Sequence, residues 1–278
     1  MVNALMQYAR TPEIFIQLPS NGNFGSRVQL SPDGELGVCA MNTRDELNLR
    51  NPEMLLNGEA ILRMIESCCP DIEDVRNHPV CDMEPILLAI RAASSDRGIE
   101  LNATCPECSH QNEYEIDVHE MLATTKKLEK SYQVELSNGV QVSLKPFTLQ
   151  DAVKQTLEQF KQARTLDNLV PSEMSTDPNL QKITQALNSI AVNILELTAN
   201  AIIQIMDRDG NPMDVSHADI VEWLNSISSK DGKKIEAMLT KINDSGMNKE
   251  VTLVCSECEH HFKTELSIDQ SNFFDTSS

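Results

Sequence analysis

Alternation of apolar and polar residues predicts that short β-hairpins make up part of this chain. Residues 132–136 and 140–144 alternate on either side of a Ser-Asn-Gly turn, and Asn-Gly between two alternating runs is a strong hairpin signal. Near the N-terminus, short strands are predicted at 13–18, 27–30 and 36–41, the last two flanking the turn sequence Ser-Pro-Asp-Gly. The first part of the chain is therefore expected to contain a small β unit.

Apolar residues spaced three and four positions apart predict helices in most of the remaining segments. Thr43 and Glu46 fit a capping box, in which each residue's side chain satisfies a backbone N–H of the first turn. Further helices are predicted near 57–69 and 83–94, from Thr148, from Ser216, and in a final segment ending near Gly246. Helical segments thus alternate with the hairpins along the chain.

The longest predicted helix covers residues 177–206 and begins at an Asp-Pro pair suited to a first turn. Leu195 and Ile202 add a second apolar face, so we expect a central helix packed inside its own domain. Self-association through this helix is the alternative, because six residues step by four and three positions as in a heptad seam. These residues are Ile183, Leu187, Ile190, Ile194, Leu197 and Ala201. Polar residues at 188, 193, 196, 200 and 204 exclude a membrane span.

The same strand, Cys-x-x-Cys, strand pattern occurs twice. Cys105 and Cys108 enclose Pro-Glu, Cys255 and Cys258 enclose Ser-Glu, and the flanking residues alternate similarly in both copies. Two cysteines at this spacing can direct both thiolates to one metal ion, and two such knuckles complete the tetrahedral four-sulfur shell that zinc prefers. We therefore predict one structural zinc ion per chain, held by these four cysteines.

Other roles for these motifs fit less well. A thioredoxin-like redox motif would open a helix after a strand, whereas polar and apolar residues alternate straight through both copies. His110 and His260 follow the motifs at the same offset, and we expect them to be neighbours of the site or surface residues. The two motifs are far apart in sequence, but the entropy cost of closing a loop rises only slowly with its length, so both can still bind one metal ion.

Composition and charge narrow the class of protein. The chain has 278 residues, of which 40% are hydrophobic, and this is enough to form a globular core. It has 8 cysteines and no segment resembling a secretory signal, so we expect a reducing cytoplasm and no disulfide bonds. The cysteines outside the motifs are expected to be buried as small apolar side chains: Cys39, Cys68, Cys69 and Cys81.

The net charge of −19 disfavours a nucleic-acid partner. Carboxylates crowd the knuckles, whereas only Lys249 and Lys263 lie close to them in sequence. A zinc-ribbon regulator of transcription, which would need cations or stacking aromatic residues there, remains the alternative function. A phosphate-binding loop, an H-E-x-x-H motif and a G-x-S-x-G motif are all missing, and His78 and His119 are isolated. We therefore expect a non-enzymatic protein with protein partners.

The predicted fold class is α+β, with small hairpins, a four-cysteine ribbon assembled from two distant knuckles, and a mostly helical insert. Residues 1–98 form an N-terminal α+β region, 99–118 and 249–268 the two halves of the ribbon, 119–248 a hairpin with the helical insert, and 269–278 a C-terminal tail. Phe273 and Phe274 in this polar tail are either docked locally or anchors for a partner, and we favour the anchor because aromatic anchors often dominate interface energy.

Several segments together resemble a known family. They are Met-Asn-Thr-Arg-Asp-Glu-Leu from Met41, Leu-Leu-Asn-Gly-Glu-Ala-Ile from Leu55, and an acidic Asp82 before Leu-Leu-Ala-Ile-Arg-Ala-Ala-Ser. A Cys-Pro-x-Cys hairpin, a helical insert and a closing Cys-x-x-Cys hairpin followed by Asn-Phe-Phe complete the order. Over nearly its whole length the chain resembles the baseplate hub proteins of T-even-type contractile bacteriophages, described as hub subunits or hub assembly chaperones. The second knuckle, Cys-Ser-Glu-Cys-Glu-His from Cys255, departs from the pattern, because Pro and Gly are expected in it.

The resemblance implies a non-enzymatic viral tail protein that acts in assembly of the baseplate and its central hub. It implies synthesis in the host cytoplasm, other tail and baseplate proteins as partners, and a place in the virion baseplate if the protein is retained there. The acidic surface and the missing catalytic motifs agree with this implication.

Overall fold

A computed structural model describes residues 9–95, 99–167 and 177–266. In its N-terminal part, strands β1 (Ile14–Ile16) and β2 (Leu36–Val38) form an antiparallel pair. Four helices follow: α1 (Thr43–Leu49), α2 (Pro52–Leu56), α3 (Glu59–Cys68) and α4 (Met83–Ser94). The buried faces of α3 and α4 enclose the first hydrophobic core together with the two strands. The predicted helices near 57–69 and 83–94 are confirmed, including Pro85 in the first turn of α4.

Two local predictions in this region are wrong. Helix α1 is capped by Asn42 and Asp45, one residue earlier than the predicted Thr43 and Glu46, because the side-chain oxygen of Asn42 accepts from the N–H groups of Arg44 and Asp45. Residues 27–30 do not form a strand with β2. Their backbone bonds instead to the segment after α3, with Gln29 donating to Asp71, and this leaves a single isolated bridge.

The helical insert contains a three-stranded antiparallel sheet. Its strands are β5 (Tyr132–Glu135), β6 (Gln141–Leu144) and β7 (Ile202–Met206), with β6 in the centre. The predicted hairpin of β5 and β6 is confirmed, and Gly139 in its turn has a φ of +84°. The second hydrophobic core joins this sheet to α7 (Asp177–Asn200), α8 (His217–Ser226) and α9 (Ser229–Asn243). Helix α6 (Leu149–Asp167) contacts α7, and its Leu149 is buried in the first core. Thr148 caps α6 through Asp151, and Ser216 caps α8 through Asp219, both as predicted.

The long helix is shorter than its sequence pattern indicates. Helix α7 ends at Asn200, and residues 202–206 of the predicted helix form strand β7. The free edge of β6 provides backbone partners for this β-branched segment, and the strand buries Ile202 and Ile205. Along α7, Leu197 is buried but Ile194 is 54% exposed, so the heptad seam is not buried throughout. The side chains of Ile183 and Leu187 lie outside the described part.

Two further hairpins carry the cysteine motifs. The first is β3 (Ile99–Thr104) with β4 (Gln111–Ile116), and the second is β8 (Glu250–Val254) with β9 (His261–Glu265), each an antiparallel pair as predicted. Their open ends pack against α4 and the short helix α5 (Val118–Leu122), where Leu88, Ile99 and Leu266 share one apolar cluster. The chain is thus a mixture of helices and small antiparallel sheets, as the sequence predicts. Within its described part, no helix is both long enough and apolar enough to cross a membrane.

Candidate metal centre

Each Cys-x-x-Cys motif folds into a tight knuckle between two strands. In the first, the N–H of Cys105 donates to the carbonyl of His110 at 2.9 Å, and the N–H of Ser109 donates to the carbonyl of Cys105 at 3.0 Å. Equivalent bonds close the second knuckle, from Cys255 and from Glu259. Ser109 and Glu259 both have positive φ, 60° and 55°, a conformation in which glycine would be unstrained. The two knuckles therefore have the same geometry, although neither has glycine at this position.

The fold brings the two knuckles face to face. The sulfur of Cys105 lies 3.7 Å from that of Cys258, and the sulfur of Cys108 lies 3.6 Å from that of Cys255. All four sulfurs lie within 4.8 Å of one another. Zinc–sulfur bonds of about 2.3 Å in a tetrahedron would place the sulfurs about 3.8 Å apart. The predicted cluster is thus assembled in the structure, and its dimensions are compatible with a metal ion.

The sulfurs differ in exposure and in acidity. Cys105 and Cys255 are each 1% exposed, whereas Cys108 and Cys258 face solvent. The backbone N–H of Cys258 hydrogen-bonds to the sulfur of Cys255 and, with the Asn112 amide, lowers the pKa of that thiol to about 6. The His260 N–H favours the Cys258 thiolate, but the nearby sulfurs outweigh it and raise the pKa of Cys258 to about 12. A bound cation would supply the positive charge that allows several thiolates to coexist.

Asn112 joins the two knuckles and was not found from the sequence. Its side chain is buried and donates to the carbonyl of His110 at 3.1 Å and to the sulfur of Cys255 at 3.6 Å. Its oxygen accepts from the backbone N–H and the hydroxyl of Ser256, at 2.9 and 2.8 Å. The one available signal is a break in the repeat, because the corresponding position of the second hairpin is Phe262. The two copies are therefore not equivalent at this contact.

The two histidines lie beside the cluster without joining it. The close group of four sulfurs contains neither His110 nor His260. Both contribute backbone carbonyls to the knuckles, and the His260 ring stacks on Phe262 with 6.5 Å between centroids. Tyr114 adds a further link between the hairpins, because its hydroxyl donates to the carbonyl of Val254 at 2.9 Å.

The surface around the cluster is acidic. Exposed carboxylates on and beside the two hairpins include those of Glu107, Glu113, Glu115, Asp117, Glu257, Glu259 and Glu265. The two nearby lysines are already paired, Lys249 with Glu84 at 2.8 Å and Lys263 with Glu250 at 2.7 Å. A surface of this kind repels the phosphates of a nucleic acid.

Other residues considered from the sequence lie elsewhere. His78 is fully buried with its Nε2 2.9 Å from Asp82, whose carboxylate also accepts from Ser20. The four remaining cysteines are buried, as predicted, and burial raises the pKa of the Cys68 thiol to about 12. Phe273 and Phe274 lie outside the described residues.

The fold and the site define an acidic α+β protein in which two distant hairpins share a four-cysteine cluster. The sequence model of a family described as T4 bacteriophage base plate protein matches residues 13–275, nearly the whole chain. The chain belongs to this family, in agreement with the resemblance seen in its sequence. Searches of curated proteins and of solved structures found no significant match.

Proposed function

We propose that the chain is a non-enzymatic structural or assembly protein of a contractile phage tail, either a component of the baseplate hub or a chaperone of hub assembly. Membership of the baseplate family over nearly the whole chain carries this proposal. The acidic surface and the paired lysines support protein partners over DNA. Nothing supports the alternative of a transcription regulator.

An interaction experiment tests this role. The purified protein is mixed at low salt with DNA and, separately, with tail-hub proteins, and co-migration is measured. We expect association with hub proteins only. Binding to DNA without binding to hub proteins would overturn the proposal.

A count of copies in purified virions distinguishes the two forms of the proposal. We expect assembly in the host cytoplasm in both cases. Mass spectrometry that finds a fixed low number of copies per particle supports a hub component of the virion, whereas absence from particles supports a transient chaperone.

The proposed cofactor is one structural zinc ion, bound by Cys105, Cys108, Cys255 and Cys258. The spacing of the sulfurs and the absence of a competing histidine from their group support it. Because the metal would gather ligands from two distant segments, its binding energy would contribute to folding. Elemental analysis is expected to give one zinc per chain, and any other ratio in the folded, reduced protein would contradict the proposal.

The proposed partner surface is the helical insert together with Phe273 and Phe274. Burying the zinc hairpins would desolvate many carboxylates for little apolar contact. Replacing both phenylalanines with alanine is expected to weaken partner binding by about 2 kcal/mol or more with an unchanged melting temperature and zinc content. A lower melting temperature with unchanged affinity would show that the rings close the protein's own core.

Self-association of the chain through α7 is a second proposal. Analytical sedimentation, which measures the mass of the particle in solution, tests it.

A further inference from the structure

The helical insert contains an open apolar groove between α6, α7, α8 and α9. Its volume is about 760 Å³, and its floor includes Leu197, Leu224, Ile235 and Leu239, all of them buried. Ile194 lies at its edge and is 54% exposed. An exposed apolar groove on a folded protein is typical of a surface that binds a partner or a ligand.

The charges of the groove indicate the chemistry of its occupant. Among the described residues that line it, Glu236 and Asp244 carry a charge and no residue is cationic. The whole chain has a net charge of −19, so a second copy would bring further repulsion. The C-terminal residues 267–278 contain two aspartates and no lysine or arginine, so they fit no better. A partner with an apolar face and positive flanks is complementary to this groove.

The shape of the groove indicates the backbone of its occupant. Its walls are largely helices, whose backbone groups bond internally, so the groove offers side chains and no strand edge. An occupant must therefore satisfy its own backbone hydrogen bonds, as an amphipathic helix does. From Gly232 to Asn243, helix α9 lines the groove over about 17 Å, the length of about three helical turns.

We propose that this groove binds a short, basic amphipathic helix of another baseplate protein. The proposal rests on the proposed function for the identity of the partner, and it adds the site and the chemistry of recognition. Leu195, Leu197 and Leu224 would receive the apolar face of the helix, and Glu236 and Asp244 would face its cations.

A defined peptide tests the groove directly. The probe is a fluorescein-labelled 14-residue helix with leucine on one face and lysine on the other, and a second peptide carries glutamate in place of lysine. Fluorescence anisotropy measures binding to the full chain. The variant Ile194→Glu places a carboxylate at the groove, whereas Val192→Glu adds the same charge to the same helix at a position that is 57% exposed and does not line the groove.

Both variants add one negative charge to α7, so a difference between them reports apolar contact in the groove and not long-range attraction of the basic peptide to the acidic chain. We expect the lysine peptide to bind the wild type, Ile194→Glu to weaken it at least about tenfold, and Val192→Glu to change it less than about twofold. Both positions are exposed, so both variants are expected to keep the wild-type melting temperature. The proposal would be overturned if the two variants bound the lysine peptide with equal affinity, or if the wild type bound the glutamate peptide as tightly as the lysine peptide.

Other occupants would give different results. If removing residues 267–278 strengthens peptide binding, the chain's own C-terminus covers the groove and the proposal is wrong. If sedimentation shows a dimer that only Ile194→Glu dissociates, a second copy is the occupant. If the lysine peptide does not bind but hub proteins still associate with the chain, the groove proposal is wrong and the baseplate role stands. If the peptide binds but hub proteins do not associate with the chain, the baseplate role is wrong.

Discussion

Asn112→Ala tests whether one buried amide joins the two cysteine hairpins. The Asn112 side chain accepts two hydrogen bonds from Ser256 and donates one to the sulfur of Cys255, and all three cross from the first hairpin to the second. Its remaining bond, to the His110 carbonyl, stays within the first knuckle. The substitution therefore removes cross-hairpin contacts while leaving the four sulfurs in place.

The expected cost follows from these bonds. A typical intramolecular hydrogen bond contributes about 0.5–1.5 kcal/mol to stability, and a cysteine sulfur is a weak acceptor. Ser256 is exposed, so water can replace part of what its N–H and hydroxyl lose. The His110 carbonyl keeps its bond from the Cys105 N–H. We therefore expect Asn112→Ala to lower the free energy of unfolding by about 2 kcal/mol.

The assay is urea unfolding, followed by circular dichroism, in a metal chelator and again with one equivalent of zinc. Asn102→Ala is the matched control, because Asn102 is an exposed asparagine on β3 of the same hairpin and its loss is expected to cost less than about 0.5 kcal/mol. A loss seen in the chelator would show that the amide joins the hairpins without metal. If the two variants differ by less than about 0.5 kcal/mol in both conditions, the Asn112 side chain does not stabilise the contact between the hairpins.

Three further predictions concern other contacts. Gly58 has a φ of +71°, and an added Cβ would lie 2.7 Å from Val153 Cγ2. Gly58→Ala should therefore lower the free energy of unfolding, measured in urea, by about 1–2 kcal/mol or more. Adding Val153→Ala should recover part of this lost stability, because it removes the clash. If no stability is recovered, the clash with Val153 does not contribute. Hydrogen bonds from the Ser137 N–H and hydroxyl lower the pKa of Asp231 to about 2. Because this folded-state pKa lies below the unfolded value near 4, the stability from Asp231 is present above about pH 4 and is lost as the pH falls toward 2. Thermal unfolding should show Asp231→Asn less stable than wild type at pH 7, with a difference that shrinks as the pH falls to about 2. A difference that stays constant over this range would contradict this. Cys258→Ser should increase hydrogen exchange in both cysteine hairpins together, whereas loss of protection in β8 and β9 alone would mean that the hairpins do not share a metal.

Local signals in the sequence determined most of the secondary structure. The turn at Gly139, the caps at Thr148 and Ser216 and the two cysteine knuckles each depend on residues a few positions apart. Their geometry is therefore set by short-range sterics and hydrogen bonding, which composition and spacing reveal. The repeat of the cysteine motif also predicted that two distant hairpins would meet, because a four-sulfur cluster needs ligands from both.

Tertiary structure decided the features that depend on partners distant in sequence. Residues 202–206 have an apolar pattern that suits either the end of a helix or a strand, and the free edge of β6 decided in favour of a strand. Asn112 gains its role only when Ser256 is folded against it from the other end of the chain. The apolar groove exists because the four helices of the insert leave Ile194 uncovered. A local sequence pattern predicts the apolar face of a helix, but it does not predict which part of that face other elements will cover.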